Sequence, residues 1–220
     1  MCRTVIRKSH ACALTVTTGL EPLLCFAHPI NMDENGFDLV GKMLIAMPDM
    51  GDPRFDKSVI YICAHAADGA MGLIVNKPQP KMRFAALLQD LDITPSGTVP
   101  DTQIHYGGPV ERARGFVLHS DDYRTPDGTL DVDGQTRMTA TLDILEDIAL
   151  GKGPQTALLA IGYSGWGAGQ LEQEVMQNAW LTCDADPDII FGTDNDAKWA
   201  AALASIGVSP LLLSHVGGRA

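Results

Sequence analysis

With 220 residues, 45% of them apolar and 20% charged, the chain has the length and mixture of one globular domain with a substantial core. Its formal net charge is −11; Arg3, Arg7 and Lys8 against Glu21 put residues 1–31 at +2, so the remainder carries −13. An acidic body repels phosphate backbones, which argues against direct nucleic-acid contact, and no basic cluster after Lys8 offers a patch for a lipid surface.

Residues 1–31 differ in character from the rest of the chain. Three cations precede a mildly apolar, threonine-rich stretch, His10 to Leu20, which suits either an upstream start ahead of Met32 or a targeting segment. The upstream start is the favoured reading, so 1–31 is expected to be a poorly ordered extension and 32–220 a single domain. Lys42 to Met47 predicts a first strand, ended by Pro48. The polar stretch 49–56 then has a helical-turn character. Ser58 to His65 and Ala70 to Val75 predict a hairpin around Asp68-Gly69, a pair that favours tight turns. Asn76-Lys77-Pro78 stops its second strand. Phe84 to Leu91 predicts a short helix with Leu87, Leu88 and Leu91 inward, and Thr94 to Asp101 a loop.

Ile104 to Tyr106, Gly115 to His119 and Thr129-Leu130 predict three further strands. Thr141 is expected to cap a helix through Leu150 that turns Leu142 and Leu145 to the core. Ala157 to Ile161 has the length of a buried strand. Four glycines between 162 and 169 then predict a tight turn, before a helix from Gln170 with Leu171, Val175 and Ala179 on one face. Leu181 to Ala185 and Ile189 to Phe191 predict strands, and Asp194 or Asn195 a cap for a helix through Ile206, which Gly207 ends. Val208 to Ala220 is a partly apolar tail, open between packing on the body and pairing with a second copy. About eight short strands and four helices, the strands clustered early, predict an α+β fold rather than a doubly wound parallel sheet.

Membrane spans are not expected, since the apolar runs are too short. Of the five cysteines, Cys63 and Cys183 sit in apolar, strand-like surroundings and read as small buried hydrophobes. There is no CxxC, HxH or HExxH, so no metal is expected and nothing calls for an oxidising compartment; a cytoplasmic location is expected.

Candidate chemistry is sparse. Around Ser164 the run Gly162-Tyr163-Ser164-Gly165-Trp166-Gly167 misses the G-x-S-x-G elbow, because Trp166 stands where the second glycine belongs. Gly165-x-Gly167-x-Gly169 before a helix has the outline of a phosphate cradle. But Glu172 and Glu174 sit in the first turns, where carboxylates already complement the helix dipole, and no cation accompanies them. His119 beside Ser120, Asp121 and Asp122 is the densest polar group, read first as a strand-end histidine next to solvated acids. Trp166 is expected to lie as a lid over the core. A surface for a small ligand or protein partner is nevertheless expected where the loops converge: Asp52 and Arg54, Asn76 and Lys77, Gly107 and Gly108, His119 and Ser120, with Ser164, Trp166, Gly167 and Gln170. No catalytic residue, cofactor or metal ligand is assigned. The alternative is a hydrolase using His119 as base with Ser164 or a water.

Together, residues 44–65 (LIAMPDMGDPRFDKSVIYICAH), 69–78 (GAMGLIVNKP), 106–120 (YGGPVERARGFVLHS), 143–154 (DILEDIALGKGP) and 161–181 (IGYSGWGAGQLEQEVMQNAWL) resemble the AlgH/YqgE family of small bacterial proteins. The resemblance runs in order from about Leu39 to the C-terminus. It implies a bent, bifurcated sheet forming a partial barrel with helices outside. It does not imply an enzyme, and it carries over no catalytic residues; alanine stands at the Ser164 position in many members. Some members carry the label of transcriptional regulator, and an acidic body fits indirect regulation better than DNA contact.

Overall fold

Strand β2 (Val59–Ala66) shows how the sheet is built. Successive side chains of a strand point to opposite faces. Val59, Tyr61 and Cys63 enter one apolar cluster and Ile60 and Ile62 another, all 2% exposed or less. An unbroken apolar run of this kind demands cover on both faces, and the rest of the chain supplies it.

The computed structural model describes residues 38–48, 50–97 and 102–213. The expected extension at 1–31 lies outside them, as do 98–101 of the predicted loop and 214–220 of the tail. Among the described residues the order is β1 (Lys42–Ala46), β2, β3 (Gly69–Ile74), β4 (Pro78–Arg83), α1 (Phe84–Asp90), β5 (Gln103–Tyr106), β6 (Val110–Ser120), β7 (Thr129–Asp131), β8 (Thr136–Thr139), α2 (Asp143–Ala149), β9 (Ala157–Gly167), α3 (Gln170–Met176), β10 (Trp180–Asp184), α4 (Pro187–Phe191) and α5 (Lys198–Ser205). Short 3-10 turns occur at Pro53–Phe55 and Pro210–Leu213.

The strands form one curled sheet in the order β10-β1-β2-β3-β9-β6-β8-β7. All these neighbours are antiparallel, while β5 lies parallel to β9 and carries β4 beyond it. The sheet therefore forks at β9. One flank of β9 pairs with β6; the other pairs with β5 at residues 159–161 and with β3 at 164–167. This is an α+β fold with a bent, bifurcated half-barrel. Helices α4 and α5 contribute to one core, α3 to a second, and α1 and α2 to a third.

Several expectations need correction. The glycines after Ile161 do not make a turn: β9 continues to Gly167. Gly162 has φ of +71°, and a Cβ there would stand 2.6 Å from the Gly108 carbonyl oxygen and 2.8 Å from that of Val110. Glycine here lets three backbones meet at the fork. Ile189–Phe191 is helical, because Asp186 caps the Asp188 amide (2.9 Å) and Pro187 opens the helix. Thr141 is not the cap of α2. That position falls on Leu142, whose side chain cannot cap, and the later start turns Leu142 outward, 46% exposed. Neither Asp194 nor Asn195 holds the cap position of α5, which falls on Ala197: Asp194 accepts the Ala197 amide (3.2 Å), while Asn195 is buried between His105 Nε2 (3.1 Å) and Gln103 (2.8 Å). Strands β4 and β8 were not foreseen; β4 begins on Pro78 and contains Pro80, residues suited to the edge it occupies.

Lys198 joins the pieces from inside. Only 3% exposed, its Nζ donates to the Val75 carbonyl (2.8 Å) and to the Ile190 carbonyl at the end of α4 (2.9 Å). Burial lowers its pKa from 10.5 to about 8.

Candidate functional site

Loops following β1 and β3 meet near the fork. Asp52 starts the 3-10 turn by accepting the Arg54 amide (2.9 Å), and its carboxylate also takes the Arg54 guanidinium through Nε (3.0 Å) and Nη2 (2.6 Å). The guanidinium holds the Asp52 carboxyl below its usual range. Asn76 staples the loop to β2: its Oδ1 accepts the Val59 amide (2.9 Å) and its Nδ2 donates to the Lys57 carbonyl (2.8 Å). Lys77 Nζ donates to the Arg54 carbonyl (2.7 Å), joining the two loops. Burial lowers the Lys77 pKa, with Asp56 and Asp52 opposing the shift.

The glycine pair belongs to the fork. Gly107 donates to the Ile161 carbonyl (2.9 Å) and accepts the Ile74 amide (3.0 Å) and the Ser164 hydroxyl (3.3 Å). A Cβ on Gly107 would overlap the Gly162 carbonyl, and one on Gly108 the Tyr163–Ser164 peptide. Both glycines are thus occupied with backbone contacts. Ser164 is fully buried and its hydroxyl is engaged there.

Trp166, Gly167 and Gln170 lie beside this cluster. Gln170 Oε1 accepts the Gly167 amide (3.0 Å). Trp166, 7% exposed, packs edge-to-face on Trp180 at 6.0 Å, and Trp180 packs on Phe55 at 5.6 Å. It forms part of the core, as the lid reading expects. Glu174 is the residue that sequence reasoning missed. Its Oε2 accepts both indole N–H groups, from Trp166 (2.9 Å) and Trp180 (2.8 Å), and its Oε1 accepts from Gln170 (2.9 Å). Glu172 pairs with His65 (3.0 Å), whose other ring nitrogen accepts the Leu39 amide. Glu172 lies in the first turn of α3, as its reading as a helix-terminus carboxylate expects, and both glutamates in addition bind side chains across the sheet. Indoles fourteen positions apart leave no local signal that one acid serves both.

His119 and Ser120 stand apart. His119 pairs with Ala157, and Ser164 lies seven residues further along β9, about 23 Å of strand at about 3.3 Å per residue. That exceeds hydrogen-bond reach, direct or through one water, so a His119–Ser164 pair cannot act together. His119 is fully buried. Its Nδ1–H donates to the Ser120 carbonyl (2.8 Å), which leaves Nε2 to accept from the Thr139 hydroxyl (2.9 Å). Thr139 continues to Thr129 (2.8 Å) and Thr129 to Thr125 (3.0 Å). Burial lowers the pKa of His119, and burial likewise lowers that of His105. Two imidazoles that are neutral when folded must take up protons on unfolding in acid. Their contribution is therefore present in full above 6.5 and is lost as pH falls below 6.5 towards the folded values. The urea midpoint is expected to fall between pH 7 and 5, less steeply in His119→Asn. The depressed carboxyls, Asp52, Asp122 and Asp184, act only below about 4.

Two clefts among the described residues lie away from the glycines of the fork. One cleft of about 460 Å³ lies beside Ser120, Thr136, Thr156 and Phe191. Another of about 380 Å³ lies beside Lys42, Asp184 and Ile206. Of the expected surface, only Ser120 borders either. Among the described residues no three His, Cys, Asp or Glu side chains gather to hold a metal ion, and no helix is long and apolar enough to cross a membrane.

The chain has clear relatives. A family model described as "DUF179: AlgH-like" matches residues 43–211. A UPF0301 protein of Cereibacter sphaeroides (strain ATCC 17023) is 52% identical over 83% of this chain and 100% of its own length. One from Ruegeria pomeroyi is 57% identical with the same coverage. The solution structure of AlgH from Pseudomonas aeruginosa is similar with a TM-score of 0.67 and 41% identity, covering 82% of this chain and 95% of that one. A Corynebacterium diphtheriae protein at 20% identity and a TM-score of 0.64 shares the fold, over 81% of this chain and 92% of its own. Motif, relatives and fold agree, and the chain belongs to the AlgH-like family.

Proposed function

We propose that the protein is a non-catalytic, cytoplasmic binding protein that acts in regulation, and that it meets its ligand or partner on the surface where Asp52–Arg54 and Asn76–Lys77 converge. The observation that carries this reading is the fate of the two groups capable of acyl-transfer chemistry. His119 and Ser164 are sealed in the interior, each bonded to a neighbour, and stand at opposite ends of β9. By contrast, Arg54 and Lys77 stand on adjoining loops tied by the Lys77 bond to the Arg54 carbonyl, and although Asp52 takes one edge of the guanidinium, an anionic group there would meet two cations on a chain of charge −11. Direct DNA contact does not fit that net charge.

The test is a thermal-shift screen of a metabolite library on the wild type and on Arg54→Ala/Lys77→Ala. A ligand at a hundredfold its Kd contributes about 2.7 kcal/mol, a rise of roughly 5–10 °C for a chain this size. The expected result is a ligand that raises Tm in the wild type and loses that effect in the double variant. An unchanged shift in the variant would move the site elsewhere. Turnover of an activated ester that disappears in Ser164→Ala would restore the hydrolase reading.

A further inference from the structure

We propose that the outer edge of β10 is a docking site for an extended segment of a basic partner protein, which adds there as a further strand. The sheet ends at β10, with β1 on one side and no strand beyond it on the other. Which backbone groups face outward follows from one bond. The Met47 amide donates to the Ala179 carbonyl (3.0 Å), one step past the Ala46–Trp180 pair. Bonded and non-bonded pairs alternate along an antiparallel ladder, so Leu181 and Cys183 bond to β1, while Trp180, Thr182 and Asp184 turn N–H and C=O away from it. Thr182 and Asp184 are exposed, and among the described residues no other backbone group bonds to their outward pairs. None of Asp52, Arg54, Asn76 or Lys77 belongs to this edge, so this reading and the ligand surface proposed above stand or fall separately.

The other ends of the sheet are guarded against such pairing. β4 carries Pro78 and Pro80, which have no amide to donate, and Lys81, while β7 is three residues long. β10 is five residues long and has no proline and no cation. A cleft of about 380 Å³, lined in part by Leu39, Thr182, Cys183 and Ile206, lies against the edge and has room for a side chain of an added strand. Strand addition works in this way, with backbone bonds supplying affinity and a neighbouring hollow supplying selectivity.

Charge selects the occupant. Residues 153–197 include seven acids and no lysine or arginine, and β10 lies within this stretch, with Asp184, Asp186 and Asp188 at its end. Lys42 on neighbouring β1 is taken up by Asp184 (2.6 Å). A second copy would bring another chain of net charge −11 against the same acids over an edge of five residues, which is little surface to hold two such chains together. Lysines or arginines on an incoming strand meet those acids favourably instead.

The experiment is fluorescence anisotropy of the labelled peptide KVTVRVTK with the full chain at near-physiological salt. Saturable binding is expected, weakened about tenfold or more in Thr182→Pro, which deletes an outward amide and none of the ladder to β1. Two further peptides of the same sequence carry N-methyl groups on alternate amides. In an added strand one set of amides faces β10 and the other faces solvent, so one peptide is expected to lose about tenfold in affinity and the other to keep it. This pair decides the matter even where Thr182→Pro does not fold. No binding tighter than about 1 mM, equal affinity of the two methylated peptides, or equal binding of the acidic peptide EVTVEVTE would overturn the proposal. So would sedimentation of the chain alone as a dimer that Thr182→Pro separates, which would assign the edge to a second copy.

Discussion

Gly108→Ala is expected to prevent the chain from folding, with a loss above about 4 kcal/mol and protein recovered in the insoluble fraction. The argument is geometric. At the fork the segment after β5 passes against β9, and the space a methyl group needs at Gly108 is filled by the Tyr163 carbonyl and the Ser164 amide. Backbone cannot rotate aside as a side chain can, so relief requires parting strands that are bonded through Gly107 to Ile161 and Ile74. Gly134→Ala is the control. That glycine also has positive φ (+82°), but nothing lies within 4 Å of its Cβ position, so only the strain of the left-handed backbone remains, about 1 kcal/mol. Comparable solubility of the two variants would show that backbone crowding at the fork is not what selects glycine there. The same comparison bears on the expected ligand surface, because a glycine whose removal destroys the fold cannot report on binding.

Local signals were legible where the structure is local. Asp68-Gly69 between two apolar runs marked the β2–β3 hairpin, in which Ala66 pairs with Gly69. The spacing of Leu171 and Val175 marked the inward face of α3, while Ala179, read with them, packs on the same core from beyond the helix end. The misreadings share a cause. Gly162 to Gly167 has the composition of a turn, but its conformation is set by β3 and β6, strands more than forty residues upstream. Ile189–Phe191 has the residues of a strand, yet Asp186 and Pro187 before it start a helix, and capping outweighed β propensity over so few residues. The candidate site suffered most. His119 and Ser120 are consecutive to loops that looked related by composition, but β6 is eleven residues long and carries them to the other end of the sheet. Asp121 and Asp188 line one cleft across sixty-seven positions, a juxtaposition that only the folded topology creates.

Removing the acid beneath the tryptophans should be the second large loss. Glu174→Leu is expected to cost about 3 kcal/mol, a fall in Tm of roughly 6–12 °C, because it removes the one carboxylate oxygen that both indole N–H groups share. Trp180 is 2% exposed and Trp166 7%, so water cannot fully replace the carboxylate. The aromatic cluster would also loosen, since Glu174 ties α3 to β9 through Trp166 and to β10 through Trp180. Glu174→Gln discriminates between charge and acceptor geometry. An amide oxygen keeps two lone pairs and can accept from both indoles, so about half or less of the loss is expected, with the difference measuring the extra strength of bonds to an ionised acceptor. Trp166→Phe in the Glu174→Leu background completes the cycle. With the acceptor already gone, deleting one stranded donor should recover part of the stability, whereas in the wild type the same substitution should be destabilising. Urea midpoints of the four proteins decide the matter. Purely additive losses would mean that Glu174 supports α3 alone and that the shared carboxylate does not join helix to sheet.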